Sequence, residues 1–469
     1  EPDGAELLLT DDRVVVVAGG GDGPVDPWSD RPRQVTRVTT YDLSDPASPA
    51  LVDDRSLEGA LVRAVQHDDD TVRLVVTTGL PDLDFVEPRF WRTEDGARDR
   101  NADVVRRSSL DDWLPDVTTY DADGDEIGTQ PLLDCSQVVV PSDDDAALGT
   151  MTVVGLDADT PDDLDTLGIA TDTRLAYFSP DRMYLATSPW STWWGCCWDG
   201  VSEPVADAGR SRLYSFALDD TRATYVASGA VDGRIEDRWS MDEHDGVLRV
   251  AVGPTVETGN FSSVVTLRED GDDLEEVGRV DQLGVDEEIK AVRWLDDLAL
   301  VVTFRQVDPL YAVDLTDPDD PELLGELKIP GYSEYLHPIS GDRLVGLGQD
   351  ATPQGQLLGA QAALFDVRDL TDPRQSDVVR YPSGSVTGAA TDPRQFTWLP
   401  DRQTALAVVW DGWQGRTGWV SVLEVDGDRL SQRMVEVEYG ADVTDVRTVP
   451  LPDGRVALAT STGVSFLDL

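Results

Sequence analysis

Lysine, histidine and cysteine are scarce in this chain. Of the 38 basic residues among 469, only Lys290 and Lys328 are lysines, and histidine and cysteine occur three times each. Three cysteines are too few for a disulfide-built scaffold, and their odd number allows one bridge and one leftover thiol. No stretch reaches the roughly 18 apolar residues that span a bilayer as a helix. We therefore expect no transmembrane segment.

Positive charge is also scarce. The chain has 91 acidic and 38 basic residues, which gives a net charge of -53. Such a surface repels nucleic-acid phosphates and anionic lipids, so nucleic acid is not expected as a partner. We interpret the acidity as a property of the host's environment or genome, because a high negative charge also keeps proteins soluble. Cation binding is the alternative.

Short alternating strands and tight turns are abundant. Three stretches repeat one pattern of apolar residues, Asp and Pro: "TYDLSDPASPALVDD" from Thr40, "AVDLTDPDDPELLGELKIPG" from Ala312 and "LFDVRDLTDPRQSDVV" from Leu364. In such a turn Asp accepts a bond from the backbone two residues further on, and Pro fixes φ. Each stretch predicts the third strand, the turn and the fourth strand of a repeating unit.

Strand-turn-strand patterns precede these stretches and supply the first two strands of each unit. They begin at Arg63, Leu175, Lys290, Glu334, Gln395 and Asp445. Four-stranded units repeated without long helical stretches favour an all-β fold, a β-propeller. We predict one propeller domain over residues 1–469, with eight antiparallel blades and seven as the alternative. The last unit shows three strands, so its fourth is expected from the N-terminus or from residues before Glu1.

Two inserts interrupt the repeats. Residues 80–114 lack the alternating pattern and are expected to be partly helical. Residues 188–210 form a loop rich in Trp and Cys, "SPWSTWWGCCWDG" at its start. Rigid blades that present variable loops suit recognition.

The middle of the chain carries a family resemblance. The segments are "GAVDGRIEDRWSMDEHDGVLRVAV", "VTFRQVDPLYAVDLTDPDDPELLGELKIPGYSEYLHPI" and "LVGLGQDA", between about Leu213 and Asp372. They resemble a secreted bacterial and archaeal β-propeller domain family that is distantly similar to WD40 proteins. "DCSQVVVP" and "YDLSDPASPALV" fit the same family more loosely. The resemblance implies an exported propeller and implies no activity.

The histidines supply the first candidate site. His244 is flanked by Asp242 and Glu243, and carboxylates beside an imidazole can bind a divalent metal. First strands of propeller blades line the central channel, so these residues are predicted to converge with Tyr335 and His337 at one channel mouth. The alternatives are a polar turn at His244 and a packing role for His337, because other repeats place Trp294 and Trp398 at the position of His337.

Two further polar stretches are candidates. Arg305 and Asp308 lie three residues apart between two strands, where they either satisfy each other, cap a turn or face a ligand. "DADGDE" from Asp121 begins like a calcium loop, but Leu132 replaces the acidic residue at position 12. We interpret it as a hairpin turn. No cofactor is predicted, and adventitious Ca²⁺ on so acidic a surface is the alternative.

The Trp- and Cys-rich loop supplies the second candidate site. Its four tryptophans either pack the loop or form an exposed patch that recognises a partner; they are Trp190, Trp193, Trp194 and Trp198. Cys196 and Cys197 are adjacent, as in the vicinal disulfide of quinoprotein dehydrogenases. The alternative in an oxidising compartment is a bridge from Cys135 to one of them.

These features predict a non-catalytic propeller scaffold. We expect a secreted or cell-surface monomer that binds a protein, peptide or glycan through loops at one face. The alternative is a metal- or cofactor-dependent enzyme with its site at the channel mouth, for which a quinoprotein-like dehydrogenase is the nearest example. The sequence contains no glycine-rich phosphate loop and no Gly-x-Ser-x-Gly motif.

Overall fold

The computed structural model is built almost entirely of short β-strands, with one α-helix among the residues it describes. The helix, α1, is Glu94–Arg107. The structure describes residues 5–20, 25–26, 31–32, 34–67, 70–81, 83–141, 149–171, 173, 175–188, 209–305, 308–329, 331–352, 354–412, 418–437 and 443–469. No helix among these residues has the length and apolar character needed to cross a membrane.

The chain divides into two compact units. Unit 1 contains Glu1–Thr187 and Arg212–Ser228, and unit 2 contains Ser188–Ser211 and Gly229–Leu469.

The strands of the first half, in chain order, are β1 Ala5–Leu9, β2 Arg13–Gly20, β3 Val25–Asp26, β4 Arg31–Pro32, β5 Val35–Asp42, β6 Ala50–Glu58, β7 Ala60–His67, β8 Thr71–Thr78, β9 Asp116–Tyr120, β10 Glu126–Pro131, β11 Val138–Val139, β12 Thr150–Asp157, β13 Leu164–Ile169, β14 Leu175–Phe178, β15 Arg182–Thr187, β16 Arg210–Asp219 and β17 Arg222–Asp232. They form sheets in the orders β1-β2-β5-β6-β9-β10, β7-β8-β12-β13 and β14-β15-β16-β17. β11 joins the second sheet parallel to β13, and β3 pairs with β4.

The strands of the second half are β18 Met241–His244, β19 Val247–Val252, β20 Ser262–Asp270, β21 Asp273–Leu283, β22 Glu288–Leu295, β23 Leu298–Phe304, β24 Asp308–Asp314, β25 Glu322–Ile329, β26 Tyr332–Ser340, β27 Arg343–Ala351, β28 Leu357–Asp366, β29 Arg374–Ser383, β30 Ser385–Thr387, β31 Phe396–Leu399, β32 Thr404–Asp411, β33 Gly418–Asp426, β34 Arg429–Val437, β35 Arg447–Pro450, β36 Val456–Thr460 and β37 Gly463–Leu467. β18–β21 continue the sheet of β14–β17 in the order β14-β15-β16-β17-β21-β20-β19-β18. β22–β25 and β26–β29 form four-stranded sheets, β30–β34 form a five-stranded sheet in which β30 and β31 both pair with β32, and the last sheet is β35-β36-β37.

Successive antiparallel sheets therefore make up most of the chain that the structure describes. The predicted all-β fold of antiparallel strand repeats is confirmed, and the number of blades stays a prediction. Short 3₁₀ helices fill some of the connections: Leu110–Asp112, Cys135–Gln137, Arg238–Ser240, Gly388–Ala390, Pro393–Gln395, Pro400–Arg402 and Val443–Asp445.

The predicted Asp turns close the third strands. Asp42 Oδ1 accepts a hydrogen bond from Ser44 N at 2.8 Å, and Asp314 Oδ1 accepts one from Thr316 N at 2.9 Å. Asp366 repeats this contact with the backbone two residues further on, at 3.1 Å. The repeated Asp thus ends each of these strands by pairing with the turn that follows.

Neighbouring sheets of unit 2 pack closely at glycines of their fourth strands. A Cβ added to Gly278 in β21 would lie 2.3 Å from Pro318 O, which belongs to the turn between β24 and β25. A Cβ added to Gly325 in β25 would lie 2.4 Å from Leu370 O, in the corresponding turn of the next sheet. Only glycine allows the turn of one sheet to approach the strand of another this closely.

The sheets of unit 2 have two different ends. We call the end with first-to-second and third-to-fourth strand connections the turn end, and the opposite one the loop end. Five turn-end connections are two residues long: 245–246, 271–272, 296–297, 341–342 and 427–428. Loop-end connections include the longer segments 233–240 and 253–261, and the turn-end connections 315–321 and 367–373 are seven residues long. Connection length therefore varies at both ends, and the two-residue connections named above belong to the turn end.

Turn ends of neighbouring sheets in unit 2 are joined by arginines. Arg249 in β19 donates a hydrogen bond to Asp296 O in the turn between β22 and β23. Arg343, at the start of β27, reaches the turn between β33 and β34, where its Nη2 lies 2.9 Å from Asp428 Oδ1. These contacts hold the turn ends together and leave the loop ends to carry other side chains.

The predicted helical insert is also confirmed. α1 lies within residues 80–114, and the Thr93 hydroxyl caps it by accepting a hydrogen bond from Gly96 N at 3.2 Å. Acidic residues occupy its first turn and arginines its last, which complements the helix dipole.

Candidate functional site

The predicted site residues on β18 form hydrogen bonds and an ion pair with residues of their own β18–β19 hairpin. Asp242 Oδ2 accepts a hydrogen bond from Arg249 Nε at 2.8 Å, and burial raises the pKa of Asp242 although Arg249 opposes that rise. Glu243 Oε1 accepts a bond from Gly246 N at 2.7 Å. His244 Nε2 lies 3.7 Å from Asp245 Oδ2 at the turn end. The three side chains therefore have partners in the β18–β19 hairpin.

Tyr335 and His337 form a second group with Arg293 and Phe396, which we call the inner-strand cluster. Tyr335 Oη lies 3.1 Å from His337 Nδ1, and the His337 and Phe396 ring centroids are 4.7 Å apart. Burial, and secondarily the charge of Arg293, lowers the pKa of His337 to about 4. Burial raises the pKa of Tyr335. Near pH 7 the cluster therefore contains a neutral His337 imidazole that is hydrogen-bonded to the neutral Tyr335 phenol.

Glu334, next to Tyr335 in β26, is a buried carboxyl that was not singled out from the sequence. Burial raises its pKa, while hydrogen bonds with Gln349 and Tyr332 and the charge of Lys290 oppose that rise. Glu334 is displaced by an irregularity in the pairing of β26 with β27, between Ser333 and Tyr335. That irregularity decides which β26 side chains face inward, and strand alternation alone does not reveal it.

Arg305 and Asp308 belong to a loop-end connection. Arg305 Nη1 lies 3.8 Å from Asp286 Oδ2, and both side chains are exposed. Asp308 opens β24 and is paired with Ile329 in the strand register, and its side chain lies outside the described residues. The predicted set is therefore divided: His244 lies at a turn end, Arg305 and Asp308 lie at a loop end, and Tyr335 and His337 lie together on β26.

The loop end of unit 2 carries an exposed tryptophan. Trp239, in the connection before β18, is 43% exposed, and the Arg238 guanidinium lies 4.4 Å from its ring centroid. Asp237 Oδ1 accepts hydrogen bonds from Trp239 N at 2.9 Å and Ser240 N at 3.1 Å. Trp294 Nε1 donates to Trp239 O at 2.9 Å. These bonds hold the backbone that presents the Trp239 ring.

Trp239 was missed from the sequence although a local signal was present. "EDRWS" places Asp two residues before Trp, the spacing of a side-chain cap, and Arg directly before it. Trp294 and Trp398, by contrast, are partly buried and pack against the core clusters of unit 2.

The remaining predicted residues are distributed as follows. The Cys135 thiol is exposed and forms no disulfide with another described residue. Cys196 and Cys197 lie outside the described residues, as do Trp190, Trp193, Trp194 and Trp198, so the disulfide and the tryptophan patch stay predictions. Asp121 Oδ1 accepts hydrogen bonds from Asp123 N and Asp125 N in the β9–β10 hairpin turn, at 3.0 and 2.9 Å. The described residues contain no group of three or more His, Cys, Asp or Glu side chains suited to a metal ion.

The repeated four-stranded sheets define the class of β-propeller proteins. The family model "Beta propeller domain" matches residues 2–448, and the chain belongs to that family.

Two archaeal relatives match a part of the chain. A protein of Archaeoglobus fulgidus is 40% identical over 148 residues, which cover 32% of this chain and 22% of the relative. A protein of Methanocaldococcus jannaschii is 41% identical over 154 residues, which cover 32% of this chain and 24% of the relative. Both are described only as uncharacterised, and the match spans less than a quarter of each.

Among solved structures, Chaetomium thermophilum Sqt1 aligns with a TM-score of 0.41 and 12% identity over 76% of this chain and 83% of that one.

Proposed function

We propose that the protein is an exported, non-catalytic scaffold that binds a protein, peptide or glycan partner through its loop-end connections. The observation that carries the proposal is Trp239, an exposed ring held in place by Asp237 and Trp294 and stacked by Arg238. Tryptophan and arginine dominate the binding energy of many interfaces, and a backbone that is already ordered loses less entropy on binding.

The contrast between the two ends supports the same proposal. Five connections of the turn end are two residues long, and arginines bond there to neighbouring turns. The loop end exposes Trp239 and Val256, the latter by 98%. Residues at 253–261 are ordered by reciprocal bonds between Thr255 and Thr258, at 3.0 and 3.2 Å. Apolar side chains that are exposed on ordered loops serve recognition more plausibly than folding.

Site-specific photo-crosslinking in the producing cell tests this proposal. A photoreactive amino acid is placed singly at Trp239, Val256 and Arg305 on the loop end, and at Asp245 and Asp428 on the turn end. We expect one shared crosslinked species from the loop-end positions and its absence from the turn-end positions. Replacing Trp239 with Ala should lower the yield at Val256 at least about fivefold, since one central aromatic often carries more than 1 kcal/mol of binding.

The turn-end positions serve as matched controls because their side chains are exposed in the same unit. Crosslinks from Asp245 and Asp428 alone, or equal yields from both ends, would overturn the proposal. Fractionation of the same cells locates the protein, and recovery of the whole population from the cytosol would overturn the exported part. No contact among the described residues favours the enzyme alternative around His244 and His337, which stays a prediction.

A further inference from the structure

The insert in unit 1 displays two aromatic side chains on a tight turn, which we call the aromatic turn (Arg89–Arg92). Arg89 N donates to Arg92 O at 2.9 Å, and Arg92 N donates to Arg89 O at 2.8 Å. Between them Phe90 is 105% exposed and Trp91 is 74% exposed. The backbone conformation of the turn is fixed by hydrogen bonds that do not involve the two rings. The Phe90 and Trp91 side chains are therefore not needed to hold the turn in shape.

The rest of the insert braces this turn. Asn101, on α1, donates to Val86 O at 2.9 Å and accepts from Val86 N at 2.8 Å. The Phe85 and Trp113 rings meet edge to face with centroids 6.2 Å apart. The insert therefore packs one pair of half-buried aromatic rings against each other and exposes another pair at its tip.

Arginine is concentrated in one part of the insert. Residues 89–107 contain six arginines and four acidic residues, whereas the whole insert, residues 80–114, contains six arginines and nine acidic residues. The arginines are Arg89, Arg92, Arg98, Arg100, Arg106 and Arg107. Arg89 also lies over the Trp91 ring, 5.9 Å from its centroid. Arg89 and Arg92 thus place two positive charges directly beside the exposed rings.

We propose that the aromatic turn docks shallowly on the surface of an anionic lipid bilayer. The tip is convex, since Phe90 is fully solvated, and a bilayer accepts a convex apolar tip without having to supply a matching pocket. Tryptophan prefers the membrane interface, and arginines at that depth pair with anionic headgroups. The reciprocal bonds of Arg89 and Arg92 also satisfy two donors and two acceptors that would otherwise be costly to dehydrate.

The strongly negative charge of the chain does not prevent this contact. At about 0.15 M salt, interactions between exposed charges are screened beyond roughly 8 Å. Arg89 and Arg92 act on the headgroups they touch, while carboxylates beyond the screening length are attenuated. Glu87, Glu94 and Asp95, which flank the turn in the sequence, weaken the attraction and do not abolish these direct contacts. Two aromatic rings and a few arginines give weak and reversible binding, so the turn works as an additional contact for a protein already held near a membrane.

Vesicle co-sedimentation of the full chain tests the proposal at about 0.15 M salt. The probes are vesicles of phosphatidylcholine with about 30% phosphatidylglycerol, and vesicles of phosphatidylcholine alone. We expect the wild type to partition onto the anionic vesicles. The double variant Phe90→Ser/Trp91→Ser should lower the partition coefficient at least about tenfold. Arg89→Gln/Arg92→Gln should lower it on anionic vesicles and leave the weaker value on neutral vesicles unchanged.

A second double variant controls for the general loss of exposed apolar surface. Leu357 and Leu358 are both exposed at the start of β28, and Leu357→Ser/Leu358→Ser should bind vesicles like the wild type. Circular dichroism confirms that each variant is folded. The proposal is overturned if the wild type stays in the supernatant with anionic vesicles, if the Phe90/Trp91 variant binds as well as the wild type, or if the control variant loses binding equally. The crosslinking pattern around Trp239 is independent of all three results.

Discussion

The aromatic turn and the inner-strand cluster use similar residues in opposite environments. Both combine aromatic rings with arginine, but Phe396 is 7% exposed and Phe90 is 105% exposed. In the cluster the rings of Tyr335, His337 and Phe396 contact one another and the core of unit 2. In the turn the rings project into solvent while the backbone bonds hold the shape.

The comparison shows how to separate folding from function in a chain without recognisable catalytic motifs. Aromatic residues that are buried among other side chains stabilise the fold, because their burial removes apolar area from water. Aromatic residues whose rings remain exposed, on a backbone that is held by its own hydrogen bonds, have no such role. Exposure on an ordered backbone, rather than aromatic content, is therefore the criterion that selects Phe90, Trp91 and Trp239 for tests of binding.

The largest expected effect is the difference between two phenylalanine substitutions. Phe396→Ala should lower the free energy of unfolding by about 3–5 kcal/mol, because it leaves a cavity in the inner-strand cluster. Phe90→Ala should change it by less than about 0.5 kcal/mol. Urea denaturation followed by tryptophan fluorescence measures both. Equal losses of stability would remove the basis of the comparison, because they would give Phe90 a structural role.

The pH dependence of His337 is the next largest effect. The folded pKa is about 4 and the ordinary value is 6.5, so between these values the unfolded chain binds a proton that the folded chain does not. Stability therefore falls as pH drops from 6.5 towards 4. The imidazole is partly exposed, and solvent screening limits the loss to about 1–2 kcal/mol. Thermal unfolding across this range should show a shallower decline for His337→Gln than for the wild type.

Tyr335→Phe is the matched control for that measurement. It removes the 3.1 Å hydrogen bond to His337 but keeps the imidazole and its aromatic neighbours. We expect a lower melting temperature at every pH and a slope like that of the wild type. A His337→Gln variant with an unchanged slope would show that other groups, such as the carboxyls, account for the acid sensitivity.

A smaller, local effect is expected from the two hydrogen bonds between the Asn101 side chain and the Val86 backbone in the insert. Asn101→Ala removes both side-chain bonds to Val86, each worth about 1 kcal/mol. Since the insert lies outside the main core clusters, the loss should appear as faster hydrogen exchange and proteolysis within residues 83–113, with little change in the urea midpoint. Asn101→Asp keeps one acceptor and should fall between the wild type and Asn101→Ala. A large shift of the midpoint would show that the insert folds together with the sheets.

Local chemistry made most of the fold predictable. The Asp at positions 42, 314 and 366 ends a strand through contacts two residues away, so a short sequence window contains the whole cause. The absence of alternation in residues 80–114 likewise indicated the insert that contains α1. Such features depend on neighbours along the chain and need no tertiary information.

The candidate site was less predictable because it depends on register and exposure. Pairing of β26 with β27 shifts between Ser333 and Tyr335, next to the buried Glu334, and strand alternation in the sequence does not reveal such a shift. Phe90 and Trp91 look like core residues by type, and only the reciprocal Arg89–Arg92 bonds reveal that the turn does not need them. Residue type predicts burial only on average. The exposed aromatic residues of an interaction surface are exceptions to that average, so residue type alone does not identify them.

The smallest expected effect concerns Glu334 and has the opposite sign to that of His337. Burial raises the pKa of this carboxyl, so ionising it costs the folded state more than the unfolded one as pH rises above 4.5. Glu334→Gln keeps a side chain that can bond to Gln349 and Tyr332 and cannot ionise. Its melting temperature should therefore exceed that of the wild type at pH 7, and the gap should narrow towards pH 4. If the gap instead widens as pH falls, the attraction of Lys290 outweighs the cost of burial, and Glu334 acts as a stabilising ion-pair partner in β26.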